Sequence, residues 1–107
     1  MESVAVFIDC ENIYCNTIEK NDCQLIMKKL EEYGTIHIKN GYFDLTYNHD
    51  NNCNKRWQKM NLECGIMNIQ VDKLIKKNSC DIRMICDIMK ILYEKPYIET
   101  YVIVSSG

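Results

Sequence analysis

The chain of 107 residues has no apolar run near the ~20 residues that a membrane-spanning helix requires, so no membrane partner is expected. It has no C-x-x-C pair, and its seven cysteines are odd in number, which argues against both a disulfide framework and a zinc ribbon. His49 and Cys53 could share a helical face, but His37 falls in a strand and nothing completes a four-ligand zinc set. The cysteines read instead as small reduced core residues. There is no G-x-x-x-x-G-K-[ST] loop and no G-x-G-x-x-G, which weakens any nucleotide-cofactor reading. Internal repeats and linkers are missing too, so one domain with one core is expected. A net charge of −2 excludes a uniformly basic nucleic-acid binder and leaves room only for local basic patches. The N-terminus, with Glu2 and a five-residue apolar run, does not resemble a secretory signal, and a cytoplasmic or nuclear location is the default expectation.

What is present is a regular alternation. Val4–Ile8 reads as a short, fully buried strand. Asn12–Glu32 reads as helical, with a break expected near Asn21-Asp22, where Asp22 could cap a second piece. Thr35–Phe43 is a strand, Asn52–Cys64 a helix stopped by Gly65, and Ile66–Val71 a third strand. Ser79–Glu94 is the clearest helix, with Ser79 as a cap candidate and Pro96 beyond its end, and Thr100–Val104 is the fourth strand. The order β-α-β-α-β-α-β predicts a parallel sheet covered on both faces. Right-handed crossovers then bring all the strand C-termini to one edge, where ligands bind in such folds.

The first strand ends in Asp9-Cys10-Glu11-Asn12, at that edge. Buried charge is costly unless something compensates it. On the last helix, the spacing predicts that Asp81, Met84, Ile85, Ile88, Ile91 and Leu92 form the stripe that packs on the sheet. Asp81 would then open the helix near Asp9, although an acidic residue in a first turn also simply complements the helix dipole. Asp87 lies off the stripe, with Arg83 four residues earlier as an ion-pair partner. Carboxylates converging at one edge repel unless a cation lies between them, and oxygen ligands with water suit Mg²⁺ or Mn²⁺. Such a site can activate water against a phosphodiester. Two basic segments stand out: Lys55-Arg56 with Lys59, beside a Trp57 that reads more simply as a core residue, and Lys76-Lys77, just ahead of Asp81.

Taken in register, FIDCEN, KKNSCDIRMICD and VIVSSG resemble the NYN domain, a branch of the PIN-like metal-dependent ribonucleases. In that family the first strand ends in Asp-x-x-Asn, matched by Asp9 and Asn12. A Lys-rich turn then leads to an Asp opening a helix with another six residues on, matched by Asp81 and Asp87. The resemblance covers essentially the whole chain. It implies a three-layer α/β/α PIN-like fold with sheet order 3-2-1-4 and a catalytic group of Asp9, Asn12, Asp81 and Asp87. Asp9, Asp81 and Asp87 would hold Mg²⁺ or Mn²⁺, and single-stranded RNA would be gripped by Lys76, Lys77, Lys55 and Arg56. In the family the fourth strand runs on into Ser-Gly-Asp-x-Asp-Phe or a close variant, whereas this sequence stops at VIVSSG. Residues 1–107 are therefore expected to be a truncated domain lacking the last acidic cluster, a fifth strand and its helix. As such they would be nearly inactive alone and prone to self-associate through the exposed fourth strand. The alternative reading is a non-catalytic NYN scaffold that binds RNA or a protein partner. A phosphotransferase with a nucleophilic Asp9 is weaker, because Glu11 stands where a second Asp is usual.

Overall fold

A computed structural model describes residues 2–10, 20–44, 51–71 and 79–105. Asn12, Glu11, Lys76 and Lys77 lie outside the described residues, as do the side chains of Arg56 and Trp57. The elements are β1 (Glu2–Asp9), α1 (Lys20–Glu31), β2 (Gly34–Asp44), α2 (Asn51–Glu63), β3 (Met67–Val71), α3 (Ser79–Glu94) and β4 (Thr100–Val104). The four strands are parallel, in the order β3-β2-β1-β4. No helix among the described residues is long and apolar enough to cross a membrane.

β1 is central and apolar throughout because both of its faces are covered. Val4, Val6, Ile8 and Cys10 pack with Met27 of α1, Met60 of α2, Phe43 and Ile66. Ala5 and Phe7 face the other way and pack with Tyr42, Val71, Ile98 and the α3 residues Cys80, Met84 and Ile91. The result is a three-layer α/β/α domain with α1 and α2 on one face of the sheet and α3 on the other.

Two features of the backbone set the positions of side chains that matter below. Val4 pairs with Ile36 but Ala5 pairs with Ile38, so β2 carries a bulge at His37. The bulge reverses the alternation of β2. Ile36 packs on the α1–α2 side, whereas Ile38 and Tyr42 join the α3 side. At the end of α2, Ile66 N–H donates to Asn61 O (2.7 Å) and Gly65 N–H to Leu62 O (3.3 Å). This is a Schellman termination, and it requires the left-handed conformation of Gly65 (φ 73°).

The described helix starts at Lys20 and is continuous through Asn21 and Asp22 to Glu31; the residues before Lys20, on which the expected break also rests, lie outside the described residues. The sheet-packing stripe of α3 differs from the expected one. Cys80, Met84 and Ile91 are buried and Ile88 is half-buried, but Ile85 and Leu92 are 53% and 54% exposed. The helix is rotated about its axis toward the Asp87 flank, because Asp87 reaches β2 through a hydrogen bond from Tyr42. α3 carries a second apolar stripe on its outer side, and a periodicity read from the sequence averages the two.

Candidate active site at the carboxyl edge of the sheet

β1 delivers Asp9 to the C-terminal edge of the sheet as its last residue, and the side chain is 1% exposed. Alternation along β1 puts Asp9 on the face of Ala5 and Phe7, the face covered by α3. Its lateral neighbour in β2 is Tyr42, on the same face because of the His37 bulge. Below them, Phe7 stacks between Tyr42 (6.5 Å between centroids) and Tyr101 (6.1 Å), so three rings floor the site across β2, β1 and β4.

The structure separates the two aspartates of α3. Asp87 is tied to β2: Tyr42 Oη–H donates to Asp87 Oδ2 at 2.7 Å, and Asn40 Nδ2 donates to Tyr42 Oη at 3.1 Å. Arg83 Nε donates to both Asp87 oxygens at 3.2 and 3.3 Å, the ion pair that the i, i+4 spacing predicts. Burial, and then the bond to Asp87, push the Tyr42 phenol well above its ordinary range, so it remains a donor. Asp81 sits in the first turn of α3, half-buried. Six residues apart, the two carboxylates lie about 120° apart around the helix and about 9 Å apart along it. With the Asp87 flank on β2, the Asp81 flank turns toward β1 and β4.

Asp9 and Asp81 are therefore the pair that the fold directs to one edge. Among the described residues no three His, Cys, Asp or Glu side chains form a group that could hold a metal. Two carboxylates completed by water nonetheless suit a hard divalent cation such as Mg²⁺, which keeps several waters and takes one or two protein carboxylates. Asp9 and Asp81 are the residues that would hold it. On α2, Lys55 and Lys59 are exposed. Cys10, next to Asp9, is buried on the opposite face. Burial, reinforced by the charge of Asp9 and only partly offset by Asn61, pushes its thiol up to about 12, so it packs as a neutral core group.

Sequence reasoning missed Asn40, Tyr42 and Asn61. Asn61 is fully buried under the sheet; its Nδ2 donates to Asn68 Oδ1 at 2.7 Å and comes within 3.9 Å of Cys10 Sγ. Gly41 makes room for it, since a Cβ there would lie 2.7 Å from Asn61 Nδ2. Only that glycine, inside a strand, signalled a close approach.

Compared with known protein families, residues 3–107 match the NYN domain. No curated protein and no solved structure matches the chain. The chain belongs to the NYN family of PIN-like domains, generally nuclease-type and dependent on divalent metal.

Proposed function

From that membership we propose that this NYN domain is a divalent-metal-dependent ribonuclease that cleaves phosphodiester bonds in single-stranded RNA. The observation that carries the reading is Asp9, a carboxylate 1% exposed at the end of the central strand, on the face roofed by the helix whose first turn carries Asp81. A carboxylate held there is placed to meet a cation at the sheet edge, where ligands bind in folds of this kind. Asp9 and Asp81 hold Mg²⁺ or Mn²⁺, which when bound supplies a polarised water and neutralises phosphate charge. Asn12, three residues past Asp9, orients water or phosphate without adding charge. Lys76 and Lys77, a few residues ahead of Asp81, contact the RNA backbone, with Lys55 and Arg56 extending that contact along α2. Asp87 is a positioning residue, because its oxygens are already used by Tyr42 and Arg83. The protein acts in the cytoplasm or nucleus, where such RNA is found.

The test is cleavage of a fluorescent single-stranded RNA in the presence of Mn²⁺. Cleavage should disappear with chelator and fall by at least about 100-fold in Asp9→Asn, as expected when a group acting in the transition state is removed. RNA binding that persists without metal, with no cleavage by any form, would make the domain a scaffold.

A further inference from the structure

The outward side of α3 has no function in the reading above, yet it is apolar. Ile82, Ile85, Met89, Leu92 and Tyr93 are 61%, 53%, 64%, 54% and 88% exposed. At 100° per residue Ile82, Met89 and Tyr93 lie opposite Cys80, Met84 and Ile91, and Ile85 and Leu92 lie about 100–120° from them. Beyond its first turn, α3 confines its charge to one flank, which carries Arg83, Asp87, Lys90 and Glu94. It is thus apolar both inward and outward, unlike an ordinary surface helix, which is polar on the side away from the sheet. Exposures of that size leave roughly 700 Å² in water, beyond the patch a soluble monomer usually keeps and close to the ~800 Å² each partner contributes to a stable interface.

The spacing identifies what covers it. Ile82, Ile85, Met89 and Leu92 are separated by three, four and three residues, the repeat with which one helix seats its side chains between those of another. That pattern reads the same from either end, so a two-fold-related copy running the opposite way presents an identical seam. Cys86 and Tyr93 border the seam on one side; on the other, Asp81 lies six residues from the two-fold axis, about 18 Å along the helices from its counterpart, so self-contact brings no like charges together. A nucleic acid or a charged peptide would find nothing complementary here.

We propose that α3 is the interface of a homodimer. Two copies pack α3 against α3, antiparallel, with Ile82 against Leu92 of the second copy and Ile85 against Met89 of the second copy. Cys86 then lies within about two residues' rise of the two-fold axis, beside Cys86 of the second copy. This contact uses a different surface from the outer edge of β4, which pairs only with β1 among the described residues.

Sedimentation equilibrium of the purified chain across the micromolar range tests the proposal. The wild type should behave as a dimer. Met89→Glu should raise the dimer dissociation constant more than tenfold with an unchanged circular-dichroism spectrum, and Leu92→Lys should repeat the effect should the first variant fold poorly. A short bismaleimide should join two chains, with the linked peptide mapping to Cys86 in both. A wild type that is monomeric throughout the range overturns the proposal. So does a dimer that survives both substitutions, because that outcome places the contact elsewhere, on the edge of β4.

Discussion

On the α1–α2 face of the sheet, Val4, Val6, Ile8, Phe43 and Ile66 meet one buried polar side chain among the described residues, Asn61, whose amide group donates to Asn68. On the α3 face the same two central strands present Asn40, Tyr42 and Asp9, and the helix above answers with Asp87 and Arg83. One sheet thus carries two kinds of surface, and the contrast shows how a small fold can hold charge next to its core. The apolar face supplies burial. The polar groups of the other face lie toward the C-terminal edge, where a hydrogen-bond chain from β2 to α3 spares Asp87 an unpaired, partly buried charge.

The contrast predicts effects of different size. Phe43, 1% exposed in the apolar face, should cost about 3–5 kcal/mol when truncated to Ala, measured by urea denaturation. A loss below about 1 kcal/mol would mean that this face is not the main source of stability. Alkaline pH should weaken the same face next. The Cys10 thiol is raised to about 12 from an ordinary 9.0, so the folded state holds its proton more tightly than the unfolded state. Its contribution is complete below the unfolded value and is lost as pH rises toward the folded one, about 1 kcal/mol per pH unit within that window. Cys10→Ala should flatten that part of the stability–pH profile, and an unchanged slope would assign it to other groups.

On the polar face the effects should be smaller. Tyr42→Phe keeps the stacked ring and removes the donor to Asp87, at a cost of about 1–2 kcal/mol. Arg83→Gln removes an ion pair whose arginine side chain is 50% exposed, and should cost no more than about 0.5 kcal/mol. The reverse ranking would mean that the ion pair, and not the phenol, fixes Asp87.

Much of this arrangement was legible in the sequence. The run Val4–Ile8 reads as a doubly covered strand, and Gly65 and Pro96 mark where α2 and α3 stop. Alternating elements then put Asp9 and the start of α3 at one edge. The side-chain partners were not legible, for identifiable reasons. Strict alternation would put Ile36 and Ile38 on one face, and the His37 bulge, which has no local signature, splits them and turns Tyr42 toward α3. A helix that is apolar on two sides gives a periodicity that averages both, which places Ile85 and Leu92 on the sheet although they are exposed. Asn61 lies in a polar stretch of α2, and its burial depends on the space left by Gly41, far away in sequence.

In the proposed cation site the anchor is Asp9, and not Asp87. Isothermal titration of the wild type, Asp9→Asn and Asp87→Asn with Mn²⁺ separates the two. Asp9→Asn should weaken binding by about tenfold or more, as the loss of one of two carboxylate ligands should. Asp87→Asn should stay within about threefold of wild type, because Asp87 acts through Tyr42 and Arg83. Equal binding by wild type and Asp9→Asn, or a larger loss in Asp87→Asn, would contradict it.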